Sequence, residues 1–322
     1  MKRIAVFTSG GDAPGMNAAI RAVVRAGIYN GLEVLGIQRG YQGMINGEAV
    51  NMQLRSVSNI LKAGGTILKT SRCIEFETPE GRDKAARYLN SQGIDGLAAI
   101  GGNGTMTGLI EFQRHWDGKV IALPGTIDND IYGTDYTIGF HTAVETAMDA
   151  IDKIKDTAAA HERIFIVEVM GRDAGFIALD VGIGGGAETL LIPEIDFDMQ
   201  QCTTQILEGK EKGKTSSIII VAEGSKLGGA HDIAVKIKKM CDIECRVVVV
   251  GHVQRGGSPV LYDRILASKL GVFAVEMLLG GVTGVMAGEV NNKCTLTPLK
   301  DAVYKKKPVD PYKLSVFSIL SI

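Results

Sequence analysis

The segment "PGTIDNDI" sets Asp128 and Asp130 two positions apart, with Thr126 just ahead of them. In extended chain, residues at this spacing point to one side. Two neighbouring carboxylates suit a division of labour. One takes a proton from an attacking hydroxyl while the other helps to hold hydrated Mg²⁺. An Asx-rich turn is the competing reading of the same residues. "TSGGDAPGMNAAIRAVVR" packs Gly10, Gly11 and Gly15 between a strand and a helix, so backbone can approach a ligand closely and the amides after Pro14 face an anion. No Lys follows these glycines, so the GxxxxGK[ST] phosphate loop is excluded. A second glycine loop, "GGNGT", follows the apolar run "GLAAI" and reads either as a phosphate cradle or as a tight turn. Arg163 and Arg172 in "RIFIVEVMGRDAG", and Arg246, His252 and Arg255 in "RVVVVGHVQRGG", supply forks and donors for phosphate. Any one Arg reads first as an ion-pair partner, but several at strand ends point to an anionic substrate.

The elements that would position these residues follow one pattern. A short apolar run passes at once into glycine and polar residues in "RIAVFTSGGD", "GLAAIGGNGT", "KVIALPGTIDND", "RIFIVEVMGRDAG", "SIIIVAEGSK" and "RVVVVGHVQRGG". Runs apolar along their whole length predict strands buried on both faces, as in a parallel sheet. Between them, "MNAAIRAVVRAGIYNG" predicts an amphipathic helix closing at Asn30–Gly31, and the stretch from Thr137–Gly139 through "HER" predicts a long one. Strand and helix alternating in this way predict a doubly wound α/β fold, whose ligands bind beyond the carboxyl ends of the strands. Every polar glycine motif falls at such an end. The tail "DAVYKKKPVDPYKLSVFSILSI" reads as a solvated basic turn and an apolar segment docked on the body.

With 322 residues the chain favours two domains. A formal net charge of -1 argues against nucleic acid as a partner, since it leaves no overall basic field. The five cysteines are odd in number and lack paired metal-ligand spacing, which reads as reduced thiols. The start "MKRIAVFTSGGD" reads as a strand and turn rather than a signal peptide, and no apolar run reaches membrane-spanning length. The expectation is a cytoplasmic protein without membrane contact.

Taken in order, "TSGGDAPGMNAAIR", "PGTIDNDI", "DYTIGFHTA", "VEVMGR" and "GHVQRGGSPVLYDRILASKLG" resemble the bacterial ATP-dependent 6-phosphofructokinase family from Met1 to about Gly280. The resemblance implies two doubly wound three-layer α/β/α domains with mainly parallel sheets and the active site in the cleft between them. It puts an ATP-binding domain at 1–139 plus 254–304 and a fructose 6-phosphate-binding domain at 140–253 plus 305–322. It implies transfer of the ATP γ-phosphoryl group to the 1-hydroxyl of fructose 6-phosphate. Asp128 is then the base, Thr126 lies beside the transferred group, and Arg172 and Gly11 stabilise its charge. ATP falls to Gly11, Tyr41, Arg72, Cys73, Gly102, Asn103, Gly104 and Thr105. The sugar phosphate falls to Thr126, Asp128, Met170, Gly171, Arg172, Glu223, His252 and Arg255, with Arg163 and Arg246 from a neighbouring subunit of a homotetramer.

Asn103 stands where the family has Asp, so the Mg²⁺ ligands implied are Asn103, through water, and Asp130. Gly104 and Gly125 stand where pyrophosphate-using relatives carry Asp and Lys, which leaves room for ATP. An effector site is also implied, taking a nucleoside diphosphate activator or phosphoenolpyruvate as inhibitor. Its positions are Arg21, Arg25, Arg55, Lys155, Gly186, Glu188, Lys212 and Lys214. Leu54 stands where one family pattern has Arg, and Lys155 replaces another. A pyrophosphate-dependent enzyme and a catalytically impaired regulatory paralogue, the latter suggested by Asn103, are the alternatives.

Overall fold

A computed structural model describes residues Met1–Ser321; Ile322, the last residue of the expected tail, lies outside them. The strands in chain order are β1 (Arg3–Thr8), β2 (Glu33–Ile37), β3 (Ala49–Met52), β4 (Gly96–Gly101), β5 (Lys119–Pro124) and β6 (Ile164–Val169). They continue as β7 (Thr189–Leu191), β8 (Ser217–Ala222), β9 (Cys245–Val249), β10 (Val285–Val290) and β11 (Lys293–Pro298). The chain divides into two compact units. The first comprises Met1–Ile127, Ile131–Thr142 and Arg255–Lys307, and the second Asp128–Asp130, Ala143–Gln254 and Pro308–Ile322.

In the first unit the strand order is β11-β10-β5-β4-β1-β2-β3. The inner five strands run parallel, and β3 and β11 close the two edges antiparallel. Successive residues of β1 serve opposite faces. Ala5 and Phe7 join a core with Leu97, Ala99, Tyr41, Phe76 and Phe112, while Ile4 and Val6 are equally buried on the other side. There the helix Met16–Tyr29 packs closely, since a Cβ on Gly27 would meet the Ile4 side chain at 3.3 Å. The same helix lies tight against Leu261–Leu279, where Gly271 leaves room for Ala22. Burial on both faces is what the unbroken apolar runs of β1, β4 and β5 require.

The second unit holds a four-stranded parallel sheet in the order β7-β8-β6-β9. Ile164, Ile166, Ile219 and Val221 on one face pack with Ile206, Ile233 and Ile237 from two helices. "RVVVV" departs from the expectation of a strand buried on both faces. As β9 it lies at the sheet edge, and Arg246 and Val249 are exposed. The apolar tail forms the helix Pro311–Leu320, which docks through Phe317 against Gly182 and through a Lys313–Asp180 ion pair at 2.6 Å. All five cysteines are free thiols. Among the described residues no helix is long and apolar enough to cross a membrane.

Candidate active site

Three adjacent parallel strands of the first unit, β5, β4 and β1, end in three of the polar motifs. The loops are stitched together by backbone. Ser9 N donates to Ile100 O at 3.1 Å, and Gly125 N donates to Gly101 O at 3.0 Å. The Thr105 hydroxyl donates to Ser9 O at 3.1 Å. Thr126 lies beside Gly102, whose added Cβ would sit 3.5 Å from the Thr126 Cβ. "GGNGT" continues into the helix Asn103–Phe112, so its free amides open onto this corner. A Cβ on Gly104 would meet nothing within 4 Å, whereas one on Gly125 would press on Ile100 and Met16 at 2.9 and 3.1 Å.

Arg255 reaches the first glycine loop. Its Nη1 donates to Asp12 O at 3.4 Å and lies 2.6 Å from where a Gly11 Cβ would be. Gly11 is exposed beneath this guanidinium, and Thr70 ties the loop down by donating to Gly10 O at 2.5 Å. Tyr41 is buried, stacked on Phe76 at 3.9 Å between ring centres, and donates to Thr105 O at 2.5 Å. Burial pushes its hydroxyl well above the ordinary 10.0, so it remains a donor. Burial also raises the Cys73 thiol, which stays protonated beside exposed Arg72.

The expectation that Asp128 and Asp130 share one side of an extended segment does not hold. Asn129 between them is left-handed at φ 54, which breaks the alternation. Asp128 is buried and Asp130 is half-buried. The two positions expected to serve a metal are an amide, Asn103, and a carboxylate, Asp130, and no group of three or more His, Cys, Asp or Glu is placed to hold one among the described residues. Such a sparse oxygen set fits Mg²⁺, which keeps several waters and is held largely by substrate phosphates.

In the second unit the motifs that end β6, β8 and β9 meet around the loop after β6. Met170 N donates to Gln254 Oε1 at 2.9 Å, and Arg172 N donates to Glu223 Oε1 at 2.5 Å. These bonds hold a loop in which Gly171 and Arg172 both have positive φ, 141 and 57, while the Arg172 side chain stays exposed. His252 is exposed on a short turn two residues before Gln254. Arg163 and Arg246 line one open pocket with Phe165 of the sheet and His231 of the helix Ala230–Cys241. The motif reading leaves Gln254 without a role, although it lies inside "GHVQRGG"; its bond to Met170 crosses 84 positions and has no local signature.

The effector positions fall in two groups. Arg21 and Arg25 lie on the helix Met16–Tyr29, and exposed Arg55 and Leu54 follow β3 in the same unit. In the other unit Glu188, Lys212 and Lys214 line a partly open cavity of about 380 Å³ together with Leu314 and Phe317. Lys214 lies 3.9 Å from Glu188, and Lys155 donates to Gly185 O at 2.9 Å beside Gly186.

Residues 3–278 match the model of the phosphofructokinase family. The chain belongs to the phosphofructokinase family. Over 322 residues it is 56% identical to ATP-dependent 6-phosphofructokinase 1 of Thermus thermophilus, covering 100% of both chains. It is 54% identical to the ATP-dependent 6-phosphofructokinase of Cytophaga hutchinsonii, covering 98% of this chain and 97% of that one. Among solved structures, phosphofructokinase from Saccharomyces cerevisiae superposes with a TM-score of 0.89 at 37% identity; this chain covers 47% of the yeast chain, about half its length. A pyrophosphate-dependent phosphofructokinase from Marinobacter aquaeolei shares the fold, with a TM-score of 0.84 at 21% identity over 97% of this chain and 86% of that one. The phosphofructokinase α/β architecture is therefore the one this chain adopts, with one sheet in each unit.

Proposed function

We propose that this phosphofructokinase transfers the γ-phosphoryl group of ATP to the 1-hydroxyl of fructose 6-phosphate, releasing ADP and fructose 1,6-bisphosphate. The first unit binds ATP, and the sugar phosphate falls mainly to the second, with Arg255 of the first. Asp128 takes the proton of the attacking hydroxyl; its burial beside Thr126 suits a base shielded from bulk water. Thr126, Gly11 and Arg172 surround the moving phosphoryl group, whose charge rather than covalent chemistry sets the barrier. Arg255 and His252 take the sugar 6-phosphate with Arg163 and Arg246 of a neighbouring subunit, and Glu223 and the Met170–Gly171 backbone take the sugar. Arg72, Cys73 and Gly102–Thr105 take the nucleotide, and Tyr41 acts from below by fixing the Thr105 carbonyl. Asn103 and Asp130 would hold Mg²⁺ through its water shell. When bound, that ion neutralises phosphate charge.

The observation that carries this reading is the corner where Ser9 and Gly10 meet Thr105, and Gly102 meets Thr126, at the ends of β1, β4 and β5. Donor choice is supported by Gly104, a position open to at least 4 Å with no side chain to crowd a nucleotide, and by Gly125, where even a Cβ would press on Ile100 and Met16. The enzyme is a cytoplasmic homotetramer with active sites shared between subunits. Arg21, Arg25, Arg55, Lys155, Gly186, Glu188, Lys212 and Lys214 bind an ADP or GDP activator and the inhibitor phosphoenolpyruvate. A coupled assay tests the reaction: ADP is released only when fructose 6-phosphate is present, and pyrophosphate does not replace ATP. Equal turnover with pyrophosphate would refute the donor assignment.

A further inference from the structure

The helix Phe140–His161 starts without a cap of its own, because the residue ahead of it is Gly139. Its first amides are answered from far along the chain. Gly139 N donates to Asp263 Oδ1 at 3.0 Å, and Thr142 N donates to Asp263 Oδ2 at 2.8 Å. The Thr142 hydroxyl donates to the same Oδ2 and accepts from Val260 N at 3.0 Å. Asp263 is wholly buried. Three donors on its two oxygens suit the carboxylate form, which accepts at both oxygens without giving a lone pair to a proton. Burial raises this carboxyl above its ordinary value, and the donors from Thr142 and Gly139 pull it back.

Burying a carboxylate is a costly way to cap a helix when Ser, Thr or Asp at the preceding residue would serve. Here that residue must be glycine. Gly139 has φ +104, and a Cβ would lie 2.7 Å from the Ala13 Cβ and 3.2 Å from Pro14 O. The close approach belongs to the loop that carries Gly11. Gly15 at its far end likewise lies against Asp263 itself, with an added Cβ 3.6 Å from the Asp263 Cβ. On the other side, the Thr137 hydroxyl donates to Thr126 O at 2.6 Å, and Ile138 N donates to Pro124 O at 2.8 Å. The capped helix start thus touches the Gly11 loop in front and grips Thr126 behind. We infer that Asp263 is a positioning residue for phosphoryl transfer: its carboxylate, bonded to Gly139 and Thr142, holds the Gly11 loop and Thr126 in register with each other. The inference rests on the kinase reading above.

The test compares purified parent, Asp263→Asn, Thr142→Val and Thr142→Ser in the ADP-release assay, with folding checked by far-ultraviolet circular dichroism. In Asp263→Asn, kcat falls by about tenfold or more while KM for ATP and for fructose 6-phosphate stays within about twofold, the pattern of a contribution made at the transition state. Thr142→Val lowers kcat in the same sense, Thr142→Ser restores it, and an enzyme carrying both Asp263→Asn and Thr142→Val is no slower than Asp263→Asn alone, because the two residues act as one unit. A folded Asp263→Asn enzyme with parental kcat, or losses that add, overturns the role. Where Asp263→Asn does not fold, the Thr142 pair decides, and Thr142→Val at parental kcat overturns it. A parent without fructose 6-phosphate-dependent ADP release sinks the kinase reading as well; an active parent with unaffected variants sinks only Asp263.

Discussion

Arg255 and Gly11 show how little space the site leaves. Gly11→Ala puts a methyl group 2.6 Å from the Arg255 Nη1 position, so the guanidinium must move off the loop. Steady-state kinetics should then show kcat/KM for fructose 6-phosphate lowered by about tenfold to a hundredfold, the scale of an ångström-sized displacement. Unchanged kinetics would mean that Arg255 is not held there in the working enzyme. Asn103 is tested through metal demand. An amide can hydrogen-bond a water of hydrated Mg²⁺ but adds no charge, so Asn103→Asp is expected to lower the Mg²⁺ concentration giving half-maximal rate. A flat response would remove Asn103 from the metal site.

Some helix starts in this fold borrow a cap from afar, whereas Thr78, Asp198 and Asp310 cap their own helices. Gly175 N donates to Glu194 at 2.9 Å ahead of the helix Phe176–Gly184, and Ala230 N donates to Glu168 Oε2 at 2.7 Å at the start of Ala230–Cys241. Each serves a helix whose preceding residue is glycine, as Asp263 serves Phe140–His161. Glu194→Ala removes such a cap and is expected to destabilise the protein by about 0.5–2 kcal/mol in urea unfolding. No loss would show that water replaces Glu194 there. This borrowing marks the limit of what sequence could reveal. The inner strands β1, β4, β5, β6 and β8 are legible because burial on both faces makes them continuously apolar. β3 and β11 are not, since an edge strand half open to solvent carries no such run. The motifs locate Thr126 and Arg255 but give no role to Asp263 or Gln254, whose partners lie 84 to 124 positions away. The same reading errs on Asp128 and Asp130, because left-handed Asn129 is a property of the turn and not of the spacing.

At the scale of the molecule, Arg163 and Arg246 stand exposed in one open pocket of the second unit rather than folded back onto their own chain. That suits residues offered to another subunit. Mixed assemblies of Asp128→Ala and Arg246→Ala chains, refolded together, are expected to regain activity that neither shows alone. Failure to complement would place the whole site within one chain. The cavity in the second unit is lined by three of the positions expected for an effector, Glu188, Lys212 and Lys214. Saturation curves for fructose 6-phosphate should shift with ADP and with phosphoenolpyruvate, and Lys214→Ala should flatten both responses; superimposable curves would refute the site. The central claim, that Asp128 accepts the proton of the sugar hydroxyl, is tested most directly by kcat of purified Asp128→Ala with saturating ATP, Mg²⁺ and fructose 6-phosphate. The account predicts a fall of about a hundredfold to ten-thousandfold, the range for loss of a general base, with the fold intact. Turnover at the parental rate would contradict it.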